Sequence, residues 1–215
     1  MNLSQYRIPK KLKVGGLTYR IEFPHLFVEN TGYLGLHILD DLVIRLGLFH
    51  NGIQINQQVL YATFIHEMLH AIDHIYCARS IDNEDIIDRL ANGLYQVIVE
   101  NKLQLKGDKL PKKLKILGFD VKVMYPFEFK DTDSSAFLSM SILDMKIEKK
   151  ECIELAQLEM LGGIVALICD SMCIRLGGIE KGGEEITDPN AFLHLQQGLY
   201  QVMIDNDIEY IIRGK

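Results

Sequence analysis

Two kinds of hydrophobic pattern follow one another along the first hundred residues. Short runs alternate apolar and polar positions, as in KLKV and LTYRIEF on either side of Gly15-Gly16, which favours a β-hairpin. TGYLGLHIL and LVIRLG follow as a second strand pair, and the stretch 51–58 reads as a polar connection. Val59 to Tyr76 then has helix length without Gly or Pro, and a second helix is expected to begin near Asn83, a good N-cap. The pattern predicts β-β-β-β-α-α, an α+β arrangement.

The same pattern occurs a second time. Pro9 and Pro24 recur 102 residues later as Pro111 and Pro126, within the matching segments IPKKLKVGGLTYRIEFPHLF and LPKKLKILGFDVKVMYPFEF. Near the end of each half LANGLYQVIVEN matches LQQGLYQVMIDN at a spacing of 105, and between these anchors HILDD at 37–41 echoes SILDM at 141–145. Three segments in the same order indicate tandem duplication of a unit of roughly 100 residues. We therefore expect two units, 1–103 and 104–215, joined near 102–109.

The last helix of the second unit has its own start signal. Asp188 is the expected N-cap, and Pro189 would occupy the first helical position, where proline loses no hydrogen bond.

An H-E-x-x-H motif lies inside the predicted helix of the first unit. His66 and His70, at i and i+4, project from one helical face about 6 Å apart, close enough for both imidazoles to reach one Zn²⁺ at about 2.0 to 2.1 Å. Glu67 could then take a proton from a water whose pKa the ion has lowered. The surrounding helix is apolar nearly all round, so these polar side chains would cost free energy unless paired or coordinated. The alternative is a pair of hydrogen-bonded core histidines.

A third protein ligand must come from elsewhere. His74 continues the histidine spacing but lies about 12 Å along the helix axis from His66, so it cannot share the ion. We expect it to form, with Asp73, a solvated or hydrogen-bonded end of the helix. The next helix offers three acids. Two of them, Glu84 and Asp85, are explained as first-turn acids at a helix N-terminus. The third, Asp88, lies a full turn further in and is the better candidate.

The second unit replaces the candidate residues as a set. With Asp73 paired to Asp170 in the first helix, and a spacing of 105 in the second, all four positions become apolar while the text GLYQV persists. This is expected for a site that is lost as a unit, and drift in a degenerate copy is the alternative. The residues at the positions of His66, Glu67, His70 and Asp88 are Gly163, Ile164, Leu167 and Leu193.

Composition and charge narrow the classes of function. Apolar residues make up 48% and charged residues 24% of the 215 residues, which excludes disorder as the main state. The net charge of −6 lacks the basic field that nucleic-acid or membrane-surface binding requires, so neither is expected. The N-terminus has no signal-peptide core, and the most apolar stretch, 161–169, is too short to cross a bilayer. A soluble, cytoplasmic chain is predicted, with reduced and buried thiols at Cys77, Cys152, Cys169 and Cys173.

The two helices together resemble a known family. A helix with H-E-x-x-H, followed by a helix with an acidic residue three positions before Ala-Asn, looks like the small zincin metallopeptidases of the ImmA/IrrE type found in phages and mobile elements. The family pattern is Glu-x-x-Ala-Asn with the glutamate as third zinc ligand, whereas this chain reads Asp88-Arg89-Leu90-Ala91-Asn92. The resemblance covers about residues 8–101. It implies zinc, a protein or peptide substrate, and a minimal zincin fold in which substrate lies along an edge strand beside the active helix.

Two functions are therefore expected of two tandem zincin-like units, each a small, mainly antiparallel sheet followed by two helices. The first is a zinc-dependent metallopeptidase in which His66, His70 and Asp88 bind the ion and Glu67 is the general base. The second is a duplicated protein-interaction or regulatory module with a structural or vestigial metal site. Glu67 favours the enzyme because it has no role in a merely structural site. The candidates for stabilising an oxyanion are Tyr33, Tyr61, Tyr95 and His37.

Overall fold

The computed structural model describes residues 3–28, 32–81, 83–130, 136–139, 141–172 and 190–213. These residues form two four-stranded sheets, a two-stranded ribbon and five α-helices, with a short 3-10 turn at Leu3–Gln5. The predicted α+β class is thereby confirmed. One continuous hydrophobic core contains residues from both halves of the chain.

The described residues of the first half form six strands and two helices. They are β1 (Lys11–Val14), β2 (Leu17–His25), β3 (Gly35–Ile38), β4 (Val43–Gly47), β5 (Phe49–His50), β6 (Ile53–Gln54), α1 (Gln57–Tyr76) and α2 (Glu84–Asn101). The predicted hairpin is confirmed, since β1 pairs antiparallel with β2 around Gly15, whose φ is +57°. The stretch expected to be a polar connection instead contains the second strand of a short ribbon, because β5 and β6 pair across a turn at Asn51 and Gly52.

The first sheet has the strand order β1-β2-β4-β3. Alternation in β1 and β2 turns Leu12, Val14, Tyr19 and Ile21 into the core. The outer pairs β1–β2 and β3–β4 are antiparallel, whereas the central pair β2–β4 is parallel. The chain therefore leaves β2, forms the edge strand β3, and then returns through β4 to the centre. One edge of β3 pairs with no other strand of the described residues.

Capping residues mark the start of both helices in the first half. The Asn56 side chain accepts a hydrogen bond from the N–H of Gln58 (2.8 Å) and begins α1 two residues earlier than predicted. Asn83 accepts from the N–H of Ile86 (3.2 Å) and begins α2, as predicted. The helices pack side by side in opposite directions, and α1 also packs against β3 and β4. The first turn of α2 therefore lies beside the second half of α1.

The second half repeats the order of the first sheet and of its two helices. It contains β7 (Lys113–Ile116), β8 (Phe119–Phe127), β9 (Ala136–Ser139), β10 (Asp144–Glu148), α3 (Ile153–Ser171), α4 (Ala191–Asn206) and a short α5 (Ile208–Arg213). The sheet order is β7-β8-β10-β9, with β8 and β10 parallel. Because Ile21 pairs with Ile44 in one sheet and Val123 with Met145 in the other, β4 corresponds to β10 at a spacing of 101. The echo between 37–41 and 141–145, at a spacing of 104, is therefore not a structural equivalence.

The register between α1 and α3 also differs from the prediction. The buried positions Leu60, Phe64 and Met68 recur 96 residues later, at Ala156, Met160 and Ile164. The predicted spacing of 97 was wrong because it matched two aspartates in different environments, Asp73 being buried and Asp170 exposed. The structural equivalents of His66, Glu67 and His70 are Gly162, Gly163 and Ala166.

The second long helix of each half is hydrogen-bonded to the first strand of the other half. At the end of α2, the Asn101 side chain donates to the carbonyl of Lys115 in β7 (2.7 Å) and accepts from its N–H (2.6 Å). At the end of α4, Asn206 makes the same two hydrogen bonds to Lys13 in β1, at 2.8 and 2.7 Å. These paired contacts cross between the halves in both directions.

Glycines allow the helices of the two halves to approach closely. A Cβ on Gly93 of α2 would lie 2.7 Å from the Ile168 side chain of α3, and one on Gly198 of α4 would lie 2.8 Å from the Ile72 side chain of α1. Ile72 and Ile168 are themselves equivalent at the spacing of 96. Gly93 and Gly198 thus mark two close helix crossings between the halves.

Some predicted features have a simple outcome. Asp188, Pro189 and Cys173 lie outside the described residues. Cys77 and Cys169 are buried and form no disulfide among the described residues, as expected, whereas Cys152 is exposed before the first turn of α3. No helix among the described residues combines the length and apolar character that crossing a membrane requires.

Candidate metal centre

The two histidines of the motif face each other on α1. Because they are one helical turn apart, their rings meet with centroids 4.7 Å apart, and the Nε2 atoms of His66 and His70 are separated by 2.9 Å. Both side chains are largely buried, with 14% and 15% of their surface exposed. Their Nε2 atoms therefore point to one common position at the helix surface.

This position fits a metal ion. His66, Glu67 and His70 each offer a ligand atom, and these atoms lie within 4.8 Å of one another. Two imidazole nitrogens on a tetrahedral ion are about 3.3 Å apart, so small side-chain movements would bring both into coordination distance. The three residues could thus hold a metal ion.

Two acids of α2 approach the histidines from the solvent side. The carboxylate of Glu84 lies 3.2 Å from Nε2 of His66 and 3.4 Å from Nε2 of His70. Asp88 lies 2.8 Å from the other nitrogen of His66, Nδ1. The structure therefore brings Asp88 to the site, as predicted from the sequence, but on the nitrogen that faces away from His70. Asp85 is exposed in the first turn of α2.

Glu67 lies beneath the histidines, between α1 and the edge strand β3. Glu67 is only 5% exposed, and its carboxylate accepts a hydrogen bond from the backbone N–H of His37. Burial raises the pKa of Glu67 to about 8, with smaller contributions from the negative charges of Glu84 and Asp88. A carboxyl group with this environment suits a role in proton transfer.

His37 is the one oxyanion candidate that the structure places beside the motif. It stands on β3, and its ring is parallel to that of His70, with 6.4 Å between the centroids. Its Nε2 atom is buried and has no hydrogen-bond partner among the described residues. Burial, with smaller contributions from the positive charges of His74, His70 and Arg79, lowers the pKa of His37 to about 4. The imidazole is therefore neutral at pH 7.

Two of the tyrosine candidates lie elsewhere. Tyr61 and Tyr95 line a separate cavity of about 510 Å³ at the start of α1, where the hydroxyl of Tyr61 accepts from the N–H of Arg7 (3.1 Å). Tyr33 is 46% exposed, and its ring contacts that of Phe27.

The end of α1 is hydrogen-bonded, as predicted. Nε2 of His74 accepts from the guanidinium of Arg79, and the carboxylate of Asp73 accepts from the N–H of Ile81 (3.0 Å). Asp73 is buried rather than solvated, because it closes the turn between α1 and α2.

Gly35 is the site residue that the sequence analysis missed. It lies on β3 directly against Glu67, so that a Cβ at this position would stand 2.3 Å from Oε1 of Glu67. A glycine inside a strand can mark a close approach by another group, and this was the available signal in TGYLGLHIL.

Comparison with known proteins gives no family. No protein-family model matches the sequence, and no curated protein or solved structure matches it.

Proposed function

We propose that the protein is a zinc-dependent metallopeptidase whose active site is built on α1 of the first half. The observation that carries this proposal is the pair of facing Nε2 atoms, 2.9 Å apart, with the buried carboxylate of Glu67 on the adjacent residue. Two imidazoles on one side of a helix are typical zinc ligands, and the glutamate between them is suited to act as a base. The substrate is a peptide bond of a protein or peptide.

The distances favour Glu84 as the third ligand. Its two oxygens lie closest to the Nε2 atoms of both histidines, whereas Asp88 contacts Nδ1 of His66. A carboxylate on Nδ1 fixes the tautomer in which Nε2 is free to bind a metal and also orients the ring. We therefore assign zinc binding to His66, His70 and Glu84, and assign the orientation of His66 to Asp88. The sequence had suggested Asp88 as ligand because Glu84 was explained by its place in the first turn.

The chemistry divides between the ion and the residues of the chain. When bound, zinc would polarise the carbonyl of the scissile peptide and lower the pKa of a water molecule. Oε atoms of Glu67 accept the proton of the attacking water and return it to the departing amide nitrogen, which completes hydrolysis without a net proton change. The N–H of His37 holds the Glu67 carboxylate toward the histidines during both transfers.

The open edge of β3 supports the substrate position that the zincin resemblance implies. β3 is the outermost strand of its sheet and packs against α1 beside Glu67. An extended peptide can add to such an edge through backbone hydrogen bonds. A peptide bound there would pass alongside the histidines.

The decisive experiment is Glu67→Gln. The amide preserves the shape of the side chain but cannot accept the proton, so the variant should keep one zinc per chain and lose about 100-fold to 10,000-fold in proteolytic rate. Zinc is measured by elemental analysis after dialysis, and cleavage is measured on a peptide library. Unchanged cleavage would remove Glu67 from the mechanism.

A different class of function is favoured by one observation. The second half keeps the fold without the polar residues of the site, as a protein-interaction or regulatory module would. In that case the wild-type protein would bind metal and cleave nothing in the library, and Glu67→Gln would leave its partner binding unchanged.

A further inference from the structure

Gly35 occupies a position on β3 where no side chain fits. Besides the contact with Glu67, a Cβ here would lie 2.7 Å from Cγ2 of Thr63, and both distances are well below ordinary van der Waals contact. The backbone of Gly35 is not in the left-handed region that favours glycine. The glycine is therefore required by the space that Glu67 and Thr63 occupy, and not by the strand.

The same strand holds Glu67 at a second point. His37 lies two residues after Gly35 and so faces the same side of the sheet. Its N–H donates to the Glu67 carboxylate, while its ring lies parallel to that of His70. Strand β3 thus contacts the Glu67 carboxylate at two positions. One is Gly35, which has no side chain, and the other is His37, whose backbone N–H donates a hydrogen bond.

The second half carries the opposite combination. Sheet pairing makes Ala136 the equivalent of Gly35, since Gly35 pairs with Leu46 and Ala136 pairs with Ile147. The helix position of Glu67 is Gly163 there, and a Cβ on Gly163 would meet Cε of Met145 at 2.5 Å. Where the helix carries glutamate the strand carries glycine, and where the helix carries glycine the strand carries alanine.

We propose that Gly35 is a positioning residue for the proposed hydrolysis. By leaving room on the edge strand, it lets the Glu67 carboxylate lie against β3, accept the His37 N–H and face the histidine pair. This inference rests on the proposed function, because it assigns Gly35 its role through Glu67. An alanine would have to displace Oε1 by about 1 Å to reach ordinary contact distance, and a misplacement of that size can cost about 100-fold in rate.

The test is Gly35→Ala in the full-length protein. Since His66, His70 and Glu84 are untouched, we expect unchanged zinc content, a kcat about 100-fold lower and a KM changed little. Two matched controls should keep wild-type kcat. Gly16→Ala adds a methyl group in open space at the β1–β2 turn, and Ala136→Gly removes one at the equivalent strand position of the second half.

A shorter carboxylate separates positioning from general damage. Glu67→Asp retracts the carboxylate by one methylene and should itself lower kcat, but it also removes the contact with Oε1, the shortest of those that a Cβ at position 35 would make. Gly35→Ala should therefore lower kcat by less than about 10-fold in the Glu67→Asp background. Equal fold losses in both backgrounds, or a Gly35→Ala single variant with wild-type kcat, would overturn the proposal.

Thermal unfolding tests the contact without any assay of cleavage. Gly35→Ala should lower Tm clearly more in the wild-type background than in the Glu67→Gly background, which reproduces the pair of the second half and leaves only the contact with Thr63. An equal fall in Tm in both backgrounds would also overturn the proposal. A wild-type protein that binds zinc but cleaves no peptide would overturn the proposed function instead, and the Tm comparison would then decide on the contact alone.

Discussion

The candidate metal centre and its counterpart in the second half carry different side chains on the same scaffold. Around α1 stand His66, Glu67 and His70, whereas α3 carries Gly162, Gly163 and Ala166 at the same register. In the second half the space is taken in part by Met145 from the sheet and Gln196 from α4, and a cavity of about 180 Å³ remains. The second half thus folds around small and apolar residues.

The polar residues of the first half are therefore not needed by the fold. Burying Glu67 and most of the surface of two histidine side chains costs free energy that an apolar set avoids. Their presence in one half only, together and in contact, therefore points to chemistry.

The largest expected effect is the loss of metal binding in one half only. His70→Ala removes one of the two facing imidazoles, so dialysed protein should retain no zinc by elemental analysis. Ala166→Ser at the equivalent position of α3 is the control and should retain one zinc per chain. Retention of zinc by His70→Ala would place the metal elsewhere, and the two halves would then not differ in metal binding as proposed.

The next effect separates the two acids of α2. Glu84→Ala should abolish tight zinc binding because it removes a ligand, while Asp88→Ala should weaken it by about 10 to 100-fold through the orientation of His66. Competition with a chromogenic chelator measures both affinities. If Asp88→Ala is the more damaging change, Asp88 is the ligand, as the Asp-x-x-Ala-Asn resemblance suggests.

A smaller effect concerns the contacts between the halves. Asn101→Ala and Asn206→Ala each remove two hydrogen bonds to a strand of the other half, so each should lower the free energy of unfolding by about 2 kcal/mol. Asn92→Ala, which removes a bond within α2 alone, is the control and should cost less. Urea unfolding followed by circular dichroism measures all three. Two separate transitions would contradict the single core described above.

The smallest effect is at Asp85. It lies in the first turn of α2 without a role at the metal centre, so Asp85→Ala should cost a few tenths of a kcal/mol to about 1 kcal/mol through the helix dipole. Zinc affinity should not change, and calorimetric titration with the ion tests this. A loss of affinity comparable to that of Glu84→Ala would mean that the ligands were assigned to the wrong acid of that turn.

Local patterns in the sequence predicted the positions of strands and helices better than they predicted which of these elements lie side by side. Alternation located β1 and β2, and Asn83 marked the start of α2, because both signals depend on neighbouring residues. The parallel pairing of β2 with β4 was not predicted, since alternation does not state which strand lies alongside. The contact of α4 with β1 of the other half was not predicted either, since it joins residues as far apart as Lys13 and Asn206, which are separated by 193 positions.

The candidate site was likewise predicted where its residues are close in sequence and missed where they are distant. His66, Glu67 and His70 were found because one helix presents them at a fixed spacing. Gly35 and His37 reach Glu67 from a strand about 30 residues away, so no spacing rule connects them to the motif.

The crossed contacts of Asn101 and Asn206 have the form of an isologous interface, in which each partner gives what it receives. In an assembly of identical subunits, every substitution in such an interface appears on both sides at once. A single chain escapes that restriction, and covalent linkage also keeps the two sides at a high effective concentration. One half can then give up its histidines and its glutamate while still supporting, through β7 and α4, the half that retains them.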